Sequence, residues 1–392
     1  MNDTPRRSPS PPLRSSGDQR RGDPKSSATT DPAASVESRD SVRRRRAARP
    51  RPARQLDSTA LIYLVLVAVI AVSAVLTGIE GRNFFSQGNI WAVLTAMSVL
   101  GLISIGQTLV ILVGSLDLSV PYVVSLATVI AAGGMKGLDG NIPAAVFNTL
   151  VVCAVIGLVM GLLVSVLHVH GFIASLGIGL IVSGYLGTNY QGSHGAAAPD
   201  LRLLGRSGIV GWIPTSFLVL LVCAVLVTLL LRYTRLGHHV YAIGGDRDVA
   251  RMSGVRTTLP VVSAHVLCSV LAGLAALLLL SRTGVGSPTI GSQGRYDLLS
   301  IAAVVLGGTL LAGGKGSVVG TMGGVAIFAV LDNVMGVMQV NPFLKDFVRG
   351  LVIVLAVAVY ARRSVVRRPP RFGASRPVLP SSKGPSTKGE PA

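Results

Sequence analysis

The run ILVGSLDLSVP, residues 111–121, sets one carboxylate, Asp117, among apolar residues, with Ser115 and Ser119 two positions away on either side. An ionised Asp near the centre of a bilayer costs about 2.5–3.5 kcal/mol on insertion scales. Such a residue has to face a cavity, a partner or the membrane surface. Gly114 before it and Pro121 after it allow a helix to break there, freeing backbone groups to line a cavity. The run therefore reads either as a hinge beside a solute path or as a cap on an interfacial turn. Other polar side chains punctuate apolar runs in the same way. Tyr296 and Asp297 open one, Asp332 and Asn333 lie inside another, and Asn189, Tyr190 and Gln191 end a third. Hydroxyls, amides and carboxylates together offer the donors and acceptors that a polyhydroxylated solute requires.

Reaction chemistry is not expected. His168/His170 and His238/His239 are spaced two and one apart, unlike the i,i+4 pair of a helical zinc motif, and His265 stands alone in an apolar run. Cys153, Cys223 and Cys268 are isolated from one another. GGKGS at 313–317 lacks the Gly-Lys-Ser/Thr ending of a phosphate loop, since Gly316 follows Lys315. The expectation is a chain with no catalytic residue, no metal and no cofactor.

One polar stretch is more pointed. In VYAIGGDRDVARMSGVR (240–256), Asp246 is placed to cap a helix, and Asp248 lies in the first turn, where a carboxylate is favoured. Gly254 can stop the helix in a left-handed conformation. Gly244 and Gly245 are expected to turn the preceding chain sharply. Val249 and Met252 then share one face, and Arg247 and Arg251 another. The result is a short amphipathic element, suited to lipid or to a groove on another protein.

The elements that position these residues follow from composition. Half the 392 residues are hydrophobic, 14% are charged and the mean hydropathy is +0.60, against about 25% charged in a soluble domain. A helix needs about 20 apolar residues to cross the hydrocarbon core. Candidate spans are 59–79, 90–113, 118–134, 144–167, 172–190, 212–231, 259–281, 297–312, 316–338 and 346–361. That makes an all-α polytopic membrane protein of about ten transmembrane helices, in which 118–134 and 297–312 are short enough to be broken or re-entrant. The net charge of +19 is clustered: 27 of the 36 Lys and Arg fall in 1–57, 232–256 and 362–392. With both termini cytoplasmic, ten spans put all three clusters on one side, as the positive-inside rule requires. Membrane orientation, with contact to anionic lipid, explains the charge without a nucleic-acid partner. Residues 1–57 and 364–392 are expected to be disordered tails around a membrane domain at 58–363. Runs such as GLVMGLL, GIGLIVSG and GSVVGTMGG supply small residues that let helices approach closely. IGQTLVILVG (105–114) and LGGTLLAGGK (306–315) echo one another, as repeated halves of a transporter would.

Three segments carry a resemblance. TRLGHHVYAIGGDRDVARMSGV is similar to the cytoplasmic coupling segment of permease subunits of bacterial ATP-binding-cassette sugar importers of the ribose/xylose/galactoside type. NIWAVLTAMSVLGLISIGQTLVILVGSLDLSV resembles their second-span region, and SIAAVVLGGTLLAGGKGSVVGTMGG their C-terminal half. Residues 83–361 are covered. The family's usual Gly-Gly-Ile-Asp-Leu-Ser-Val-Gly run departs here at Ser115, Leu116 and Pro121. Asp297 stands for a Glu, Leu299 for an Asp, and Asp332 where an Asn-Asn pair is common. The resemblance implies a cell-membrane permease paired with a second permease copy, a cytoplasmic ATPase subunit and an extracytoplasmic sugar-binding protein. It assigns Gly244, Gly245, Asp246, Arg247, Asp248, Ala250, Arg251, Ser253 and Gly254 to ATPase coupling. Gly114, Ser115, Asp117, Ser119, Asn189, Tyr296, Asp297 and Asn333 are then candidates for the path or hinge. A ribose- or xylose-like monosaccharide is the expected solute. The alternatives are nucleosides or other small polar solutes, or an ion-coupled secondary transporter using Asp117.

Overall fold

A computed structural model of the chain describes residues 58–209, 211–352 and 354. The tails at 1–57 and 364–392, and half of the tenth expected span, lie outside the described residues. Fourteen α-helices, besides a short 3-10 helix at Asp139–Asn141, occupy the described part. They are α1 (Ser58–Ile79), α2 (Gln87–Leu112), α3 (Val120–Met135), α4 (Ile142–Ser165), α5 (Gly171–Asn189), α6 (Pro199–Arg206), α7 (Thr215–Tyr233), α8 (Arg235–Gly245), α9 (Arg247–Met252), α10 (Thr258–Thr283), α11 (Ile290–Gln293), α12 (Tyr296–Leu306), α13 (Val318–Val337) and α14 (342–352). A two-residue antiparallel ladder, Gly208–Ile209 with Ile213–Pro214, is a minor addition to an all-α fold. Seven of the helices are long and apolar enough to cross a membrane, and α3 and α12 are shorter apolar helices.

The helices α2 and α10 form the centre. Leu102, Ile103, Ile105, Leu109 and Leu112 of α2 pack with Ala272, Ala275 and Ala276 of α10 in one buried cluster. The outer helices α1, α4, α5 and α7 show Val67, Val155, Leu180 and Leu226 outward. Lipid tails are as apolar as these side chains, so the exposure carries no penalty in a bilayer. Glycine sets the tightest crossing. A Cβ on Gly157 or Gly161 would meet the α10 backbone at His265–Val266 or at Val262, so this Gly-x-x-x-Gly pair lets α4 lie directly on α10.

Two spans are interrupted, and both interruptions have a physical cause. After α2, Gly114 (φ +79°) takes the left-handed conformation. Gly114 N–H donates to Ile111 O and Ser115 N–H to Val110 O, a Schellman ending that turns the chain back beside α2. The next helix, α3, thus starts inside the bundle, where sixteen residues suffice. After α10 the chain folds back along α3. Gly286 bridges His194, Ser287 N–H donates to Thr128 Oγ1, and Gly291 N–H donates to Ser125 Oγ. A Cβ on Gly291 would run into Pro121. This walk from Thr128 to Pro121 carries residues 284–295 into the bundle, and α12 starts from within it. Eleven residues rise about 16 Å, too little for a hydrocarbon core of about 30 Å. The span expected at 297–312 therefore ends at Leu306, because Gly308 (φ +84°) starts a turn. The suggested internal repeat fails for the same reason: 105–112 is helix and 309–317 is loop.

Candidate functional site

The polar run between α7 and α10 folds as two helices joined at Asp246. Thr234 caps α8, its hydroxyl accepting from Gly237 N–H at 3.2 Å. Gly244 and Gly245 continue α8 as its last residues, so the sharp turn expected of them falls on Asp246 instead, at φ −162°. Gly244 is needed for close approach: a Cβ there would collide with the Leu112 carbonyl oxygen and the Gly314 amide, whereas one on Gly245 meets nothing within 4 Å. Asp246 Oδ1 accepts from both Asp248 N–H and Val249 N–H at 3.0 Å, a double cap on α9. At the other end Val255 N–H donates to Ala250 O and Gly254 N–H to Arg251 O, with Gly254 at φ +81°. This second Schellman motif stops α9 after six residues.

Both ends are thus fixed, and the helix is seated asymmetrically. Ala250 is buried and Arg247 donates from Nη2 to Ser165 O at 3.2 Å, which pins α9 to the end of α4. Arg251 stays exposed, so the two arginines expected to act as one face do different things. Asp248 and Ser253 are exposed too, the Ser253 hydroxyl donating to Val249 O. Val249 and Met252 point away from the bundle, 54% and 80% exposed. Beneath α8, Gly314 N–H donates to Leu112 O at 3.0 Å and Tyr241 OH to Gly316 O at 3.0 Å. Burial pushes the Tyr241 phenol up, which keeps it a donor. The α8–α9 unit is thereby keyed onto the end of α2 and the loop 309–317.

Directly inward lies Asp117, fully buried. Its Oδ1 accepts from Ser119 N–H at 2.9 Å and Ser119 Oγ–H at 2.6 Å, just ahead of α3. The capping reading thus describes its local role, at a protein-enclosed position. Because the chain doubles back at Gly114, Asp117 is level with Gln107. With the Gln107 amide oriented by hydrogen-bond matching, its oxygen accepts from Asp117 N–H at 3.2 Å and its nitrogen donates to Asp117 O at 3.3 Å. Asp117 Oδ2 has no hydrogen bond among the described residues and lies 3.8 Å from Nδ1 of His265, which is equally buried. Burying an unpaired carboxylate costs several kcal/mol, and a protonated imidazole at this distance would offset about 4 kcal/mol. Ser115 is buried beside them, and Gly171 lets the start of α5 close over its hydroxyl. Sequence spacing gave no sign of Gln107 or His265. Their proximity depends on the chain reversal and on the α2–α10 crossing, where a Cβ on Gly106 would lie 2.9 Å from Cys268 Cα.

The remaining candidates lie elsewhere. Asn189 is exposed, donates to Tyr185 O of its own helix and sits at the far end of α5, about 27 Å along the axis from Gly171. It is not brought together with Asp117. Tyr296 and Asp297 start α12 deep in the bundle, half-buried. On α13, Asp332 and Asn333 face different spaces. Asn333 lines an open cleft of about 660 Å³ with Thr77, Arg82 and Asn89. Asp332 and Tyr296 line a smaller cavity of about 190 Å³ that sequence reasoning did not anticipate, together with Arg282 and Arg349. Arg349 carried the available signal, being a charge inside an apolar run.

Residues 89–357 match the family described as branched-chain amino acid transport system / permease component. The chain is 35% identical over 299 residues to the ribose import permease protein of Escherichia coli (strain K12), covering 75% of this chain and 92% of that one. It is 32% identical over 317 residues to the galactose/methyl galactoside import permease protein of Haemophilus influenzae (strain ATCC 51907 / DSM 11121 / KW20 / Rd), covering 76% and 92%. To the fructose import permease protein of Rhizobium meliloti it is 34% identical over 313 residues, covering 76% and 83%. No solved structure matches the chain.

Proposed function

Because this chain belongs to the family of branched-chain amino acid transport system / permease components, we propose that it is the membrane subunit that carries a monosaccharide inward, driven by a separate ATP-hydrolysing subunit. It is a multi-pass membrane protein whose relatives are ribose, galactose and fructose import permeases. Those three names span pentose and hexose, so the solute class is a monosaccharide, with a ribose- or xylose-like pentose the first to test. Solute reaches the permease from an extracytoplasmic binding protein, and two permease copies frame the path. Both termini lie in the cytoplasm, on the side of α8–α9.

The observation that carries this reading is the build of α9. A six-residue helix has no stability of its own. This one is capped twice at Asp246, terminated at Gly254 and pinned through Arg247, yet it presents Val249 and Met252 outward. A rigid apolar knob on a basic face suits a groove on another protein. Movement of the knob passes through Gly244 to Leu112 and Gly114, and so to the segment holding Asp117. ATP-driven closure of the partner then biases a two-state bundle. The permease itself makes and breaks no covalent bond.

Met252→Asp tests this directly. The variant chain should reach the membrane at wild-type level, lose co-purifying ATPase activity and lose sugar uptake. Wild-type ATPase association in that variant removes α9 from coupling. The Asp117–His265 pair favours a second reading, proton-coupled transport, which predicts uptake by this chain alone under an imposed proton gradient.

A further inference from the structure

The 190 Å³ cavity lies on the opposite side of the bundle from α9. Asp332 is fourteen residues along α13 from Val318, about 21 Å. From Arg282 at the end of α10 the cavity reaches inward to Leu100, thirteen residues along α2 and about 20 Å from the start of that helix. Its floor is apolar, formed by Val99, Leu100, Leu299 and Phe328. Its wall is charged. Arg349 donates from Nε to Asp332 Oδ1 at 3.1 Å and from Nη1 to Asp346 Oδ1 at 3.1 Å, and Arg295 pairs with Asp346 at 3.0 Å.

Two charged residues inside membrane helices are costly to retain. An interhelical lock would need only Arg349 and Asp332, fully paired and closed. Here the pair is open, with the Asp332 side chain 45% exposed and that of Arg349 22% exposed. Only Oδ1 of Asp332 is engaged among the described residues, leaving Oδ2 as an acceptor. Across the cavity, Arg282 has no carboxylate within salt-bridge distance among the described residues, and Gln293 adds an amide at the mouth. Donors from Arg282 and Gln293 and one acceptor above an apolar floor with an aromatic residue, Tyr296, match a sugar ring, which has hydroxyls at its rim and C–H groups on its faces. The cavity, open at its mouth, has room for one sugar ring.

We propose that the cavity walled by Arg282, Gln293, Tyr296, Asp332 and Arg349 is a transit site that holds one neutral monosaccharide between the binding protein and the inner half of the path. The proposal rests on the sugar-permease reading above and names the residues that handle the solute. The neutral charge of the solute follows from the permease reading; Arg349 is already shared between two carboxylates, and Arg282 remains to donate to hydroxyls.

The test uses the full chain in lipid nanodiscs, with Ser292→Cys, beside the cavity mouth, as a reporter for a water-soluble maleimide and the parent chain as background. D-Ribose, D-xylose, D-galactose and D-fructose are titrated against labelling rate, with D-gluconate as the anionic arm and sucrose as the two-ring arm. At least one monosaccharide should slow labelling about three-fold at twice its Kd, gluconate and sucrose should not, and Asp332→Asn or Arg282→Gln should remove the protection. Should Ser292→Cys not fold, Ala96→Cys on the lining of the cavity replaces it. Protection by gluconate alone, or unaltered protection in both variants, overturns the proposal. So does absence of protection by every sugar while the wild-type chain still supports ATP-dependent sugar uptake in cells. Loss of that uptake in the wild type instead would count against the permease reading itself.

Discussion

Gly244→Ala is the most informative single substitution, because its neighbour supplies an internal control. The added methyl would lie against the Leu112 carbonyl oxygen and the Gly314 amide, both backbone and neither able to rotate aside. The methyl either lifts the α8 end off this seam or wedges open the Gly314 N–H to Leu112 O hydrogen bond of 3.0 Å, which joins the loop to α2. Overpacking of this kind costs about 1–3 kcal/mol and the hydrogen bond about 1 kcal/mol. Alanine returns roughly 0.5–1 kcal/mol through its better helix propensity. The net cost of about 1–3 kcal/mol, at about 1–2 °C per kcal/mol for about 300 folded residues, lowers Tm by roughly 1–6 °C. Gly245→Ala gains the same propensity and meets nothing within 4 Å, so its Tm stays level or rises. Fluorescence-detected unfolding of the two detergent-purified variants measures the difference. Sugar uptake should fall with Gly244→Ala, since the contact it breaks joins α8 to the segment carrying Gly114. Equal Tm values for the two variants would refute the claim that Gly244 is the keyed residue.

Asp246→Ala removes the one oxygen that accepts both α9 cap bonds and should cost about 1 kcal/mol, whereas Asp246→Asn keeps an acceptor and should retain most uptake; paired uptake assays separate them. Val249→Asp, at an exposed position, should leave Tm unchanged yet abolish association with the ATPase, read by co-purified ATP hydrolysis. Asp117→Ala and His265→Ala should combine less than additively, with a coupling of about 0.5–3 kcal/mol in a thermal double-mutant cycle; strict additivity would mean that the 3.8 Å pair does not interact.

Much of this was legible in the sequence where the determinants are local. Eight of the ten spans appear as helices near their expected ends, because apolar length specifies them, while 297–312 stops six residues short, at Leu306. The Asp246 cap and the Gly254 stop were readable from residue type and spacing, and the structure builds both. Gly244 was misjudged because a glycine serves either a turn or a close approach, and only the packed partner, Leu112, distinguishes the two. Asn189 looked like an interior polar group but caps its own helix, which hydropathy cannot reveal. The Asp117–Gln107–His265 cluster and the Arg282–Asp332–Arg349 cavity were not readable. Each joins residues far apart in the chain through two reversals, at Gly114 and at 284–295, whose depth depends on how the helices pack.

The central claim is that solute movement through this chain is driven by a partner's ATP hydrolysis delivered at α9. Uptake of radiolabelled D-ribose, D-xylose, D-galactose or D-fructose into proteoliposomes tests it most directly, comparing the chain alone under a proton or sodium gradient with the chain plus its ATPase, binding protein and ATP. The account predicts accumulation of at least one of these sugars only in the second case, lost with Val249→Asp. Gradient-driven accumulation by the chain alone, or ATP-driven uptake indifferent to that substitution, would contradict it.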